Sequence, residues 1–175
     1  FAGLFGIGGG LISVPCLFFI FETLNFDKNY LMHLTVGTAF TITIFTSTVS
    51  VITHNKNKLV DFRIVKTFGV FVVLGVLIGT VFASFMKTKI LVLFFSVVVY
   101  FFGAYLMMAQ ERVKKLKPNS SITQRVILGI FSGFVSAPMG ITGAMMNVPM
   151  LRYLGYPISK CIGSAAAIGF FISFT

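Results

Sequence analysis

Six long stretches without a formal charge dominate this chain: residues 1–21, 34–53, 67–86, 90–110, 126–151 and 161–175. Five of them hold at least 20 residues, and a helix needs about 20 mostly apolar residues to cross the hydrocarbon core of a bilayer. Strands are excluded by length, since they seldom exceed about 10 residues. The runs therefore predict an all-α, polytopic helical membrane protein. Composition agrees, with a mean hydropathy of +0.98 and only 10% charged residues, against about 25% in soluble domains. An ordinary soluble domain, a disordered tail and a disulfide scaffold are all excluded. Cys16 and Cys161, in or beside apolar segments, read as buried free thiols.

The net charge of +10 would suggest a nucleic-acid partner if it formed one stripe. Instead all 14 Lys and Arg fall between the apolar runs. This is the pattern of membrane orientation, so the expected partners are the lipid bilayer and a small substrate, not nucleic acid. The fourth loop, 111–125, is basic and expected to be cytoplasmic.

Self-comparison shows an internal repeat. Residues 6–17, GIGGGLISVPCL, align with residues 140–151, GITGAMMNVPML, at one offset of 134. Downstream, Val36-Gly37-Thr38-Ala39 matches Ile162-Gly163-Ser164-Ala165. Glycine-rich backbone makes a poor continuous helix, and Pro15 and Pro149 each remove a backbone donor. Irregular backbone at membrane depth survives only where protein or a water-lined cavity satisfies it. Interrupted helices at matching places in two halves point to a transporter's binding site, and the N–H groups at a half-helix N-terminus suit a small anion. The expected substrate-binding set is accordingly Gly8, Gly9, Gly10, Ser13, Pro15, Gly37 and Thr38 from the first copy. Thr142, Gly143, Asn147, Pro149, Gly163 and Ser164 come from the second.

Plainer readings compete. Gly6 with Gly10, Gly75 with Gly79 and Gly129 with Gly133 share the spacing that lets membrane helices pack closely. For the last two pairs packing is the expected role. A dinucleotide fingerprint at residues 6–10 fails because Leu11 stands where the third glycine belongs and no strand precedes it. His33 and His54 flank the second run and read as interfacial, with proton relay as the alternative. Asp61 and Arg63 read as a solvated pair. No carboxylate lies inside any apolar run. No Ser/His/Asp set or His/Cys cluster appears, so neither an enzyme, a metal nor a cofactor is expected.

If each Gly/Pro segment crosses the membrane, the loops on one side carry 9 Lys and Arg and those on the other 5. If each re-enters, the split becomes 11 against 3. Re-entry segregates charge better and makes the two copies inverted, a common transporter plan.

The residues 2–10, AGLFGIGGG, with Val14-Pro15, Val36-Gly37-Thr38-Ala39 and the loop Lys58-Leu59-Val60-Asp61-Phe62, resemble the TauE/SafE-type sulfite exporter family. The second copy continues the resemblance through Gly133, Gly140, Gly143, Val148-Pro149, Leu154-Gly155-Tyr156-Pro157 and Gly163-Ser164. Thr142 and Ala144 stand where the first copy has Gly8 and Gly10. The resemblance implies two repeats of membrane helices and transport of sulfite, organosulfonates or related small anions, in a bacterial inner membrane. The domain reading is a first repeat over 1–110, the basic loop 111–125 and the start of a second repeat over 126–175. Both ends fall inside apolar runs, so further sequence on either side, or a natural truncation, is expected. A nonfunctional or assembly-dependent fragment and a passive anion channel are the alternatives to a carrier. A homo-oligomer is left open.

Overall fold

The computed structural model describes residues 10–108, 121–141 and 144–175, and these fold into seven helices with no strand among them. They are α1 (Gly10–Thr23), α2 (Leu31–Lys56), α3 (Phe62–Ser84), α4 (Thr88–Met108), α5 (Ile122–Met139), α6 (Ala144–Tyr153) and α7 (Ile158–Phe174). By length and composition α2, α3, α4 and α5 can each cross a membrane. At 1.5 Å per residue, α6 rises only about 15 Å, too little to cross alone. The all-α membrane architecture expected from the apolar runs is what the chain adopts. Large apolar side chains cover its outside, with Phe85 84% and Tyr100 79% exposed, as a lipid-facing surface requires.

Two sets of contacts define the ends of the bundle. At one end Lys160, opening α7, pairs with Asp61 at 3.4 Å, and the Arg125 guanidinium at the start of α5 lies 5.9 Å from the Tyr156 ring centroid. The starts of α3, α5 and α7 therefore meet there. At the other end Thr88 Oγ1 donates to the Asn29 carbonyl at 2.6 Å, which joins the α1–α2 connection to the start of α4.

The 26-residue run does not form one span. α5 ends at Gly140, whose φ of 62° and ψ of 20° are left-handed, a conformation glycine adopts without steric cost. The chain then turns back. Asn147, in the first turn of α6, bonds to Ser132 in the middle of α5, and Tyr156 beyond α6 reaches Arg125 at the start of α5. α5 and α6 thus enter and leave at the same end.

The helix pairs are held by close backbone approach. A Cβ on Gly79 would stand 2.7 Å from the Phe134 carbonyl oxygen, and one on Gly129 would stand 2.9 Å from Phe71 Cβ. Gly75 and Gly133 meet the Ile130 and Val72 carbonyls even more closely. The two small-residue pairs therefore face each other across the α3–α5 seam, the packing role expected of them. Lipid tails are as apolar as leucine, so such close packing, not water exclusion, drives association here. A second core joins α3, α6 and α7 through Phe68, Leu151, Leu154 and Ile168.

Pro15 and Pro149 lie inside continuous helices, not at the interruptions. The glycine segment, whose backbone freedom permits the left-handed turn, makes the observed break. Cys161 is buried as expected, but Cys16 is exposed, because α1 turns that face away from α2.

Candidate functional site

The two Gly/Pro motifs meet in space. Gly10 opens α1 and Ala144 opens α6, the two positions that the repeat alignment pairs. A Cβ on Gly10 would stand 2.8 Å from the Gly140 carbonyl oxygen and 3.0 Å from Ile141 Cα, so the start of α1 rests directly on the break after α5. Leu11 packs against the cluster of Val135, Met139, Ile141, Met145 and Met146, which joins the start of α1 to the α5–α6 hairpin. On its other side Gly140 faces Val14 and Val36; a Cβ there would stand 3.2 Å from Val14 Cγ2. α6, which opens just past the left-handed Gly140, directs the positive end of its dipole toward this region.

Buried polar groups line the same hairpin. Ser132, Ser136 and Asn147 are all 0% exposed. Ser132 Oγ donates to Asn147 Oδ1 at 2.5 Å. Asn147 Nδ2 and Ser136 Oγ have no partner among the described residues. A buried amide or hydroxyl without a partner costs about 1–3 kcal/mol, so native structures rarely keep one without use for it. Whichever way the carboxamide is turned, one of its two polar atoms faces Ser132 and the other is left over.

Beside the break lies a cavity of about 200 Å³, lined among others by His33, Gly37, Thr80, Ser84, Ala137 and Pro138. His33 Nε2 lies 3.1 Å from the Ala83 carbonyl oxygen. A carbonyl only accepts, so this nitrogen carries the proton. Nδ1 is buried and has no partner among the described residues. The sequence places His33 at the membrane edge; the structure turns its ring inward, against α3.

The expected site residues divide into three groups. Gly8, Gly9, Thr142 and Gly143 lie outside the described residues. Gly10, Ser13, Pro15, Asn147 and Pro149 belong to the two short helices that converge on the break, with Ser13 Oγ 3.5 Å from the Gly10 carbonyl oxygen. Gly37 lines the cavity with no atom within 4 Å of a Cβ placed on it, and Thr38 Oγ1 donates back to the Leu34 carbonyl at 2.8 Å. Gly163 and Ser164 sit elsewhere, under the α2–α3 connection. A Cβ on Gly163 would stand 2.5 Å from the Leu59 carbonyl oxygen, and Ser164 Oγ accepts the Asp61 N–H at 3.1 Å. Ser132, Ser136 and the cavity side of His33 belong to no motif in the sequence. The one signal for the serines is their spacing, four residues apart on one helix face in a largely apolar run.

A broken helical hairpin with unpaired buried donors, on which the start of α1 rests, is a transporter's geometry, and the whole of residues 1–175 matches the sulfite exporter TauE/SafE family. The chain belongs to that family. It is 32% identical over 172 residues to a Haemophilus influenzae protein described as a "probable membrane transporter protein", covering 96% of this chain and 64% of that protein. A Methanocaldococcus jannaschii protein with the same description is 25% identical, covering 94% of this chain and 61% of that protein. A Bacillus subtilis protein so described is 22% identical, covering 98% and 70%. The chain thus spans a little under two thirds of the first two relatives. No solved structure matches it. The family and its relatives are membrane transporters, and this chain is an integral membrane member of that family.

Proposed function

We propose that this chain forms the anion-binding part of a carrier for a small oxyanion, sulfite or an organosulfonate, in a bacterial inner membrane. The observation that carries this reading is the buried carboxamide of Asn147, one atom held by Ser132 and the other without a partner among the described residues, in the first turn of α6. An oxyanion at the break would accept from Asn147 Nδ2, from the Ser136 hydroxyl and from backbone N–H groups at the starts of α1 and α6. These are neutral donors, which can hold an anion firmly and still release it. Residues 1–110 and 126–175 are read as two inverted copies of one unit, with α1 and α6 as equivalent half-helices. The end bearing Asp61, Arg125 and Lys160 is read as cytoplasmic, since re-entry places 11 of the 14 Lys and Arg on that side.

The test is counterflow of labelled sulfite into proteoliposomes holding the full-length protein. Preloaded sulfite should drive transient accumulation, and Asn147→Leu should lower it by about tenfold, the loss of one hydrogen bond to a charged group. Flux without counterflow would indicate a channel. Unchanged accumulation in a folded Asn147→Leu protein would remove the break as the binding site.

A further inference from the structure

A second cavity, of about 490 Å³, lies at the basic end of the bundle. Asp61, Arg63 and Lys66 form one wall, Arg125 at the start of α5 another, and Tyr156 between α6 and α7 a third. Lys160 joins them through its ion pair with Asp61. The carboxylate is already committed: Oδ1 accepts the Arg63 backbone N–H at 3.0 Å, and Oδ2 faces Lys160 at 3.4 Å. Among the described residues, three cations and one carboxylate line the cavity, and that carboxylate is paired with Lys160 outside the lining, so the lining is positive. None of these residues lines the break, so a ligand held here is independent of the transport reading.

We propose that this cavity binds a phosphate oxyanion, and that its occupant is the headgroup of an anionic phospholipid. Two observations and one general tendency favour a lipid. The cavity sits where α3, α5 and α7 begin, at the ends of apolar helices, which is headgroup level in a bilayer. Basic pockets between membrane helices on the cytoplasmic side are the usual headgroup sites. The helices that line it also carry exposed apolar side chains: Phe62 and Val70 are 56% and 53% exposed on the helix that carries Arg63 and Lys66, and Ile127 is 61% exposed two residues after Arg125. A headgroup held by the cations would leave its acyl chains against these side chains. The volume also falls in the range of about 300–1,000 Å³ typical of organic ligands. Arginine's planar fork suits a phosphate diester better than a point charge does.

The full-length protein, solubilised in detergent, would be titrated with phosphatidylglycerol and with phosphatidylcholine, and retained lipid read by native mass spectrometry. A parallel arm would follow the melting temperature with inorganic phosphate alone. Phosphatidylglycerol should be retained in preference, with about fivefold weaker retention for each charge removed in Arg63→Gln and Lys66→Gln. Lys87→Gln with Lys89→Gln, at the opposite end, should leave retention unchanged. All four side chains are exposed, so the variants keep the fold. A phosphate-dependent melting shift that vanishes in Arg63→Gln/Lys66→Gln, without lipid retention, would keep the oxyanion site and assign it to the free ion. Equal retention in that variant, equal loss in the Lys87/Lys89 variant, or no response to either probe would overturn the proposal.

Discussion

Glycine does opposite work in two parts of this molecule. Along the α3–α5 seam, Gly75, Gly79, Gly129 and Gly133 bring two long helices into backbone contact, and both helices run unbroken through these positions. At the α5–α6 break, Gly140 ends a helix in a left-handed turn, Gly10 lets a third helix rest on that turn, and polar groups are left over. The seam spends its glycines on packing. The break supplies donors that the described residues do not use. A packing glycine and a site glycine are thus told apart by what the neighbouring chain has left unpaired.

Substitutions sharpen this contrast, the largest effect coming at the seam. Gly133→Leu drives a side chain into the Val72 carbonyl and the Val76 backbone nitrogen. Overpacking usually costs about 1–3 kcal/mol, and fixed backbone leaves no flexible neighbour to yield. The expected outcome is loss of monodisperse protein in size-exclusion chromatography. Recovery of wild-type amounts would show that the seam is looser than described.

Gly140→Ala comes next. A left-handed residue with a Cβ costs roughly 1–2 kcal/mol, and that Cβ would crowd Val14 Cγ2 at 3.2 Å. The melting temperature should fall, and sulfite counterflow should fall further than stability alone explains. A fall in stability with full transport would make the break merely structural.

Asn147→Leu separates the two kinds of region most directly. It removes a carboxamide that is only half paired and frees Ser132 to bond within its own helix. Melting should therefore change by less than about 1 kcal/mol, while counterflow falls. A large drop in melting temperature would place Asn147 with the structural residues.

The two smallest effects concern positions paired by the repeat alignment. Ser164→Ala removes the acceptor of the Asp61 N–H and should cost about 1 kcal/mol in thermal melting, with no change in transport. Gly37→Ala meets open space within α2. It should stabilise by about 0.5–1 kcal/mol through helix propensity, and any loss of transport would mark the cavity beside it as part of the substrate path.

Much of this architecture was legible in the chain. Apolar runs located the spans because a bilayer demands length and hydropathy, both of which are local properties. Small-residue spacing on α3 and α5 foretold their seam, and the duplicated motif pointed to the region where α1 and α6 converge. The proline positions misled, since both sit within helices. Gly163 and Ser164 matched Gly37 and Thr38 in sequence, yet they are engaged by Leu59 and Asp61, while Gly37 meets nothing within 4 Å.

The sequence by itself determined that this chain lives in a membrane, that it is helical, and that the glycine segment from Gly140 interrupts its fifth apolar run. Those outcomes follow from hydrophobicity, charge placement and backbone propensity, which act along the chain. Only the tertiary structure decided that α6 turns back beside α5, that Ser132 takes one side of Asn147, and that His33 faces inward. It also gathered Arg63, Lys66, Arg125 and Lys160 around one cavity. These depend on which helices touch, and a hydrogen bond between residues 15 apart, or an ion pair between residues 99 apart, leaves no periodic mark in the sequence.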